Sequence, residues 1–343
     1  MKTRYDVWFV IAIVLLNLFG LFNLIGLRSD LVFQTVLFQI AGVVLFVLFS
    51  RIKPALLEQN YKLIFLVFCG LLYFTLFTGS IRGSKRWIDL GFFQLQTSEF
   101  FKPFYVSCLA AVLGAPNRFS RIKLFASIGM FIVPSFAIFL QPDLGSALIF
   151  TFVFAAVFYF SGLSSKITVL IGIIATSLMP VLWLVMKDYQ KDRVIGFLNP
   201  DFNPRGITYN ITQAIIAIGS GGLLGKGLGL GTQARYRFLP EYHTDFAFAS
   251  FIEQFGFIGG IMLLLLFALL FSRLIKKMFM LKDDDYKFLY LVGIIAVLFF
   301  EVVINIGMNL GLMPVTGIAL PFISYGGSSL LSTMMLLGIA SAL

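Results

Sequence analysis

Apolar runs of about twenty residues recur along the whole chain and are separated by short polar segments. Each run is long enough to cross about 30 Å of hydrocarbon as an α-helix. The hydropathy pattern predicts about ten spans, near residues 7–27, 31–50, 61–80, 98–114, 124–140, 144–161, 167–187, 245–272, 286–310 and 320–343. The chain is therefore predicted to be an all-α polytopic membrane protein in which residues 1–343 form a single integral membrane domain.

The segments between these spans alternate between a side rich in Lys and Arg and a side with fewer of them. Basic loops mark the cytoplasmic side of a membrane protein, so both termini are predicted to be cytoplasmic. The longest segment, residues 188–244, then lies outside the cytoplasm between spans seven and eight. Within it Ile207, Ile211, Ile215 and Ile218 recur at helical spacing, which predicts a helix that lies in the interface or re-enters the bilayer.

The composition narrows the classes of function. The 343 residues are 59% hydrophobic and only 12% charged, about half the charge of an ordinary soluble domain. Cys69 and Cys108 are each isolated within apolar runs and the chain has one histidine, which argues against a disulfide framework and excludes a multi-histidine zinc site. The net charge of +10 is divided among membrane loops without a nucleic-acid-binding fold, so no nucleic-acid partner is expected.

Two predicted outer segments break the usual charge pattern because they are basic. One contains Arg82, Lys85 and Arg86, and the other carries the Lys and Arg residues at positions 187, 191, 193, 205, 226, 235 and 237. These side chains could contact anionic headgroups while their stems lie in the interface. Alternatively, they form a cationic surface for an anionic ligand embedded in the membrane.

The glycine-rich stretch GLLGKGLGLGTQ lies inside the second basic segment. Its spacing is not that of a phosphate loop, because Lys226 is followed by Gly227 instead of Ser or Thr. Backbone N–H groups beside a cation could still donate to a diphosphate.

Several ionisable residues fall within or at the ends of predicted spans, where a charge costs at least about 2.5–3.5 kcal/mol and is expected to face a cavity or a partner. Glu99 and Lys102 are three residues apart on one helical face, as expected either for a site or for a structural ion pair. Asp143 opens the sixth span and is either a functional carboxylate or a helix N-cap. Glu253 lies about two turns into the eighth span.

Asp245, in LPEYHTDF, opens the eighth predicted span, where it is either a functional carboxylate or a helix cap. Glu301, Asn305 and Asn309 form a polar edge on the ninth span, a pattern more typical of contact between helices than of catalysis. Trp87 is first of all an interfacial anchor. The residues alone therefore predict a polar, cation-rich, outward-facing cavity, which suits either a transporter or an enzyme acting on a lipid-linked anion.

Four segments carry a specific resemblance: RGSKRWIDLGFFQLQTSEFFK (82–102), QPDLGSALIF (141–150), LGTQARYRFLPEYHTDFAFA (230–249) and MPVTGIALPFISYGGSSLL (313–331). They resemble, in order and spacing, the signature segments of the SEDS (shape, elongation, division and sporulation) family. The resemblance covers essentially the whole chain. GTQ before LPEYHTDF is more similar to the elongation branch, RodA, than to the division branch, FtsW.

The resemblance implies a peptidoglycan glycosyltransferase that polymerises lipid II at the outer face of the cytoplasmic membrane together with a class B penicillin-binding protein. By its motif, Asp245 corresponds to the family's essential carboxylate. In several of the matching segments the family has functionally important polar residues. The residues of this chain that lie in such segments are Arg86, Trp87, Glu99, Lys102, Asp143 and Arg193. Tyr242 stands where the family usually has alanine.

This chemistry suits one carboxylate surrounded by cations. A general base can deprotonate the sugar hydroxyl of the acceptor, and a diphosphate leaves without the second carboxyl that a glycosidase needs. Arg86, Lys102, Arg193 and Arg237 are predicted to hold the diphosphates of the substrates, and no organic cofactor is expected. A divalent cation, Mg²⁺ or Mn²⁺, bound by Asp245 or Asp143 is compatible with the same chemistry. A lipid II flippase or other anion carrier, and a scaffold for a synthase, are the competing functions.

Overall fold

The computed structural model describes residues 6–79, 84–91, 93–115, 121–162, 172–173, 177, 180, 183–184, 186–199 and 206–343. These residues are predominantly helical. The predicted span at 167–187 falls largely outside them, as do Arg82 and Arg205, and it stays a prediction.

The helices follow the apolar runs. In chain order they are α1 (Val7–Leu27), α2 (Ser29–Phe49), α3 (Pro54–Gln59), α4 (Tyr61–Thr75), α5 (Thr97–Gly114), α6 (Arg121–Leu140), α7 (Leu144–Phe160), α8 (Asp188–Leu198), α9 (Ile207–Gly221), α10 (Thr232–Arg235), α11 (Ala247–Met280), α12 (Asp285–Asn309) and α13 (Gly327–Ala342). Two short antiparallel strands, β1 (Trp87–Asp89) and β2 (Gln94–Gln96), form a hairpin before α5.

Five of the described helices, α1, α2, α6, α11 and α12, are long and apolar enough to cross a membrane, and α4, α7 and α13 are shorter apolar helices. The chain is therefore an integral membrane protein. The last span is predicted at 320–343, but the helix begins only at Gly327. The residues before it are irregular because Ser324 and Tyr325 bond to the backbone that precedes α11.

The described residues divide into two compact units. The first comprises those within Met1–Ala41, Lys187–Arg273 and Glu301–Leu330, and the second those within Gly42–Met186, Leu274–Phe300 and Leu331–Leu343. Each unit contains part of the sequence-predicted site.

In the first unit, α11 is broken at Gly256, whose φ of 68° and ψ of −171° lie outside the helical region. The loop after α9 replaces the lost helical hydrogen bonds. The amides of Lys226 and Gly227 donate to the carbonyls of Glu253 and Gln254 at 2.9 and 3.1 Å. On the other side of the break, the amides of Phe257 and Ile258 donate to the carbonyls of residues 222 and 223. The break is therefore satisfied by protein backbone, as an irregular segment in an apolar helix requires.

The predicted helix within residues 188–244 is present as α9 (Ile207–Gly221). Ile211 is buried together with Ala214 and Ala217, whereas Ile215 is about half exposed. The small alanines allow close packing on this face. The position of α9 relative to a membrane stays a prediction.

In the second unit, α5 is the central helix, since most of its residues are buried. Phe101 and Tyr105 are almost fully buried and pack against Phe150 of α7 with ring centroids 5.7 and 4.4 Å away. Tyr290 of α12 donates a hydrogen bond from its hydroxyl to the Pro103 carbonyl at 2.9 Å. This packing fixes the start of α5, where Glu99 and Lys102 lie.

Candidate active site

Asp245 lies in the turn directly before α11 and is partly exposed. Its main-chain carbonyl accepts hydrogen bonds from Asn305 Nδ2 and Asn309 Nδ2, both at 3.1 Å. Asn309 Oδ1 also accepts the Ala249 N–H at 2.9 Å, so this asparagine caps a donor in the first turn of α11. The polar edge of α12 thus contacts another chain segment, as its spacing indicated, and the segment is the one that carries Asp245.

The carbonyls before Asp245 are also held. Ser324 Oγ donates to the Thr244 carbonyl at 2.6 Å, and the Tyr325 amide donates to the His243 carbonyl at 2.7 Å. Tyr325 Oη in turn donates to Gln34 Oε1 of α2 at 2.7 Å. Three successive carbonyls therefore accept hydrogen bonds from residues 305–325, which fixes the backbone from His243 to Asp245.

In the first unit, the Asp245 carboxylate and the Arg193 guanidinium both lie close to Gly317. Its φ of 77° lies in the left-handed region that favours glycine. A Cβ atom on this residue would lie 3.6 Å from Asp245 Oδ2 and 3.7 Å from Arg193 Nη1. Both charged groups therefore lie against the same glycine, and both residues are partly exposed.

Arg193 reaches this position from α8, a helix that the sequence analysis did not predict. The helix is polar and short, and its first turn is completed by Gln190 Oε1, which accepts the Lys187 N–H at 3.0 Å. The guanidinium carbon of Arg193 lies 5.9 Å from the centroid of the Tyr189 ring, within cation–π range. Arg237, by contrast, is exposed on the turn after α10 and has a left-handed φ of 58°.

Glu253 of α11 is fully buried and anchors the glycine-rich stretch. Its Oε1 lies 3.3 Å from Lys226 Nζ and accepts the Gln233 N–H at 3.0 Å, while Oε2 accepts the Ala234 N–H at 3.4 Å. The suggestion that the amides beside Lys226 serve a diphosphate is wrong, because the Lys226 and Gly227 amides already donate to the broken helix. The stretch is a structural element that positions α10.

In the second unit, Asp143 accepts hydrogen bonds from several donors. Its Oδ1 accepts the Ser146 N–H at 3.1 Å, as an N-cap of α7 does, and lies 3.4 Å from Arg86 Nη1. Its Oδ2 accepts from Gln96 Nε2 at 2.8 Å and from Ser146 Oγ at 2.9 Å. The capping interpretation is therefore confirmed. Gln96 pairs with Trp87 across the hairpin, so β1 and β2 attach Arg86 and Trp87 to the start of α7.

Glu99 and Lys102 form the structural ion pair that their spacing allows. Lys102 Nζ lies 2.6 Å from Glu99 Oε2, and both side chains are largely buried. Ser332 Oγ donates to the Glu99 carbonyl at 2.5 Å, which replaces the N–H that Pro103 lacks one turn later and attaches α13 to α5. A role in binding substrate stays a prediction for both residues of the ion pair, and for Arg86 and Trp87.

The predicted site residues thus fall into two groups. The first unit holds Asp245 and Arg193 at one glycine, with Arg237 on an exposed turn. The second unit holds the pairs Arg86–Asp143 and Glu99–Lys102. Sequence reasoning missed the individual roles of Gly317 and Ser324. A signal was present in GIALPFISYGG, where a glycine within an irregular apolar stretch indicates a special backbone conformation.

The hydrogen-bond donors around Asp143 leave its carboxylate little capacity to bind a metal ion. A carboxylate offers about four lone pairs, and four donors already surround this one. Among the described residues, no group of three or more His, Cys, Asp and Glu side chains is arranged to hold a metal ion. Of the two residues predicted as metal ligands, Asp245 is the better fit because it is partly exposed, whereas Asp143 is buried.

The chain is similar to known proteins over most of its length. Residues 6–343 match the family model described as cell cycle protein, FtsW/RodA/SpoVE. Peptidoglycan glycosyltransferase MrdB of Escherichia coli K12 is 35% identical over 313 residues, which are 89% of this chain and 83% of that protein. Peptidoglycan glycosyltransferase RodA of Treponema pallidum is 31% identical over 380 residues, with 89% and 88% covered. Stage V sporulation protein E of Bacillus subtilis is 38% identical over 265 residues, with 76% and 72% covered.

Solved structures share the fold over nearly the whole chain. A chain from a peptidoglycan synthase complex, described as coordinating polymerization and crosslinking, has a TM-score of 0.83 at 28% identity, covering 98% of this chain and 97% of its own. The crystal structure of rod shape determining protein RodA from Thermus thermophilus has a TM-score of 0.74 at 26% identity, with 98% and 95% covered. The chain belongs to the FtsW/RodA/SpoVE family of cell cycle proteins, the SEDS family that its signature segments resemble.

Proposed function

We propose that this chain is a peptidoglycan glycosyltransferase that polymerises lipid II into β-1,4-linked glycan strands and releases undecaprenyl diphosphate. Family membership supports this function, as do relatives that are named peptidoglycan glycosyltransferases. Resemblance to the RodA branch in the GTQ motif favours a role in cell elongation and shape.

The observation that carries the proposal is the placement of Asp245. Its carboxylate lies with Arg193 against Gly317, on a backbone whose carbonyls are held by neighbouring residues, and it is partly exposed. A fixed, accessible carboxylate beside a cation suits proton abstraction next to a phosphorylated substrate. A carboxylate sealed within the protein could not do this.

In the proposed reaction, Asp245 takes the proton from the 4-hydroxyl of the acceptor GlcNAc. The oxygen attacks the anomeric carbon of the donor MurNAc, and the bond from that carbon to the diphosphate oxygen breaks with its electron pair leaving on the phosphate. The new link is β because the attack inverts the anomeric carbon. Undecaprenyl diphosphate departs as an anion and needs no protonation by a second carboxyl, unlike the alcohol released by a glycosidase.

Cationic residues are proposed to bind the diphosphates. Arg193 is the best supported, because its guanidinium lies at the same glycine as Asp245. In the second unit, Arg86 and Lys102 are oriented by Asp143 and Glu99, and Trp87 flanks the Arg86 guanidinium at 5.7 Å. Arg237 is proposed as a further diphosphate contact since its side chain is exposed.

A divalent cation, Mg²⁺ or Mn²⁺, is proposed as a further participant in the reaction, with no organic cofactor. Asp245 would hold it together with substrate phosphate oxygens, because such ions bind through one or two carboxylates plus phosphates. When bound, the ion would neutralise charge on the departing diphosphate.

The proposed topology follows from the charge pattern. Ten helices cross the cytoplasmic membrane as one integral domain, both termini are cytoplasmic, and residues 188–244 face outward with α9 at or within the interface. Asp245 then lies at the outer boundary, where the sugar is in water and the isoprenoid tail is in lipid between the helices. The proposed partners are a class B penicillin-binding protein, the nascent strand and membrane lipids. The penicillin-binding protein is supported by a structural neighbour that belongs to a peptidoglycan synthase complex.

The test is gel-resolved polymerisation of purified lipid II by the wild type and by Asp245→Asn, with and without the partner and a divalent cation. Asn preserves the main-chain carbonyl that Asn305 and Asn309 bind, so the variant should fold. We expect loss of polymer by at least about 10²-fold. Asp283→Asn, which makes the same charge change in the exposed turn between α11 and α12, should polymerise as the wild type does.

The break in α11 favours a lipid II flippase, because discontinuous helices often form transporter sites. However, the backbone groups at this break bond to residues 222–227, so they are not available to a transported anion. A flippase would keep moving lipid in the Asp245→Asn variant, and a scaffold would make no polymer even as wild type with its partner. Absence of polymer from the wild type with its partner would refute the transferase.

A further inference from the structure

The proposed reaction uses Asp245 but leaves the polar edge of α12 without a function. Asn305 and Asn309 are both fully buried. A buried amide must satisfy its donors, and ordinary contact between helices would do so on a neighbouring helix. Here Asn305 donates to carbonyls of both segments that carry the proposed site, and Asn309 donates to one of them and to Asn305.

Asn305 joins those two segments. Its Nδ2 donates to the Asp245 carbonyl at 3.1 Å and to the Ile318 carbonyl at 2.7 Å, which uses both N–H groups of the amide. Ile318 follows Gly317, the residue against which the Asp245 carboxylate and Arg193 lie. One side chain therefore connects the backbone of the proposed base to the backbone beside its cation.

Asn309 supports this link one turn later. Its Nδ2 donates to the Asp245 carbonyl and to the Asn305 carbonyl at 2.8 Å, and its Oδ1 accepts the Ala249 N–H. Asn309 thus fixes the start of α11 relative to Asn305. Of the two asparagines, Asn305 is the one that reaches the Gly317 segment.

We infer that Asn305 is a positioning residue for glycosyl transfer, and that its amide fixes the separation between Asp245 and the Gly317 segment. The inference rests on the proposed function. Catalytic groups displaced by about 1 Å can lose about 10²-fold in rate. Because Asn305 is fully buried, its loss should change the rate of the chemical step and not the affinity for lipid II.

The experiment compares Asn305→Ala with Asn23→Ala in the full chain. Asn23 of α1 is an equally buried amide that also bonds near the start of α11, to the Ala247 carbonyl and to Gln254. Neither of these two hydrogen bonds involves the Asp245 backbone. Lipid II polymerisation is measured as kcat and KM, and thermal unfolding is measured on the same preparations. We expect Asn305→Ala to lower kcat by about 10- to 100-fold with KM unchanged, while Asn23→Ala lowers the melting temperature and retains kcat.

A wild-type kcat in Asn305→Ala, or an equal loss of kcat in both variants, would overturn the inference. If Asn305→Ala does not yield folded protein, Asn305→Ser tests the same idea, because a single hydroxyl donor cannot bond both the Asp245 and the Ile318 carbonyls; the same fall in kcat without a change in KM is expected, and its absence refutes the inference. Failure of the proposed function is distinguishable. It would appear as full polymerisation by Asp245→Asn, whereas failure of the inference alone leaves Asp245→Asn inactive.

Discussion

Replacing Gly256 by alanine should destabilise the protein more than most single substitutions of a small residue. At its φ of 68° and ψ of −171°, a residue with a side chain costs about 1–3 kcal/mol in backbone strain. A Cβ atom would also overlap the Gly225 nitrogen and lie 2.5 Å from the Leu223 carbonyl oxygen. Because both are backbone atoms, the loop must move and weaken the hydrogen bonds that replace the helical ones across the break.

The expected loss follows from these contributions. Four backbone hydrogen bonds join residues 222–227 to the break, and each contributes about 1 kcal/mol net. Losing half of them together with the strain gives about 3–5 kcal/mol of unfolding free energy. At about 2 °C per kcal/mol for a chain of this size, the melting temperature should fall by about 6–10 °C.

The assay is thermal unfolding of the purified protein in detergent, with lipid II polymerisation measured on the same sample. Gly70→Ala is the matched control, because Gly70 lies within α4 and a Cβ there would meet nothing within 4 Å. That change should be neutral or stabilise by up to about 1 kcal/mol. A Gly256→Ala protein that melts with the wild type would show that the strained break and its loop contacts are absent.

Three further substitutions test separate contacts. Glu253→Ala should lower the unfolding free energy by about 3–5 kcal/mol, because the Gln233 and Ala234 amides lose their buried acceptor and Lys226 keeps only its hydrogen bond to Thr232; an unchanged melting temperature would contradict this. Asp143→Ala should cost about 1–2 kcal/mol, since α7 loses its N-cap and Arg86 its ion pair, and thermal unfolding again measures it. Arg193→Ala should reduce kcat/KM for lipid II by about 10²-fold or more through loss of charge stabilisation, with partial recovery in Arg193→Lys; a rate equal to wild type would exclude Arg193 from the site.

Several of the apolar helices were predictable from sequence, and the sequence also pointed to the candidate base. Hydropathy depends on the local run of residues, so α1, α2, α6 and α12 appear close to their predicted positions. The segment LPEYHTDF identified Asp245 through its family motif, and the isoleucine spacing predicted α9. Each of these signals lies within a single short stretch.

Other features needed the folded chain. Asn305 and Asp245 are 60 residues apart in the sequence. No local pattern around either residue predicts that the two form a hydrogen bond. Gly256 and the glycines around Lys226 are both visible in the sequence. The hydrogen bonds between residues 222–227 and the break in α11 appear only in the folded chain. Polar edges and glycines therefore indicated that contacts existed without indicating their partners.

The sequence by itself determined a helical membrane protein of the SEDS family and a carboxylate at the start of one of its helices. These properties follow from hydrophobicity and from motifs that are contiguous along the chain. Only the tertiary structure decided that Asp143 pairs with Arg86 and Glu99 with Lys102, that Glu253 anchors a loop, and that Asp245 and Arg193 both lie against Gly317. The physical reason is that a hydrogen bond or ion pair depends on distances of about 3 Å, which distant residues reach only through packing of the whole fold.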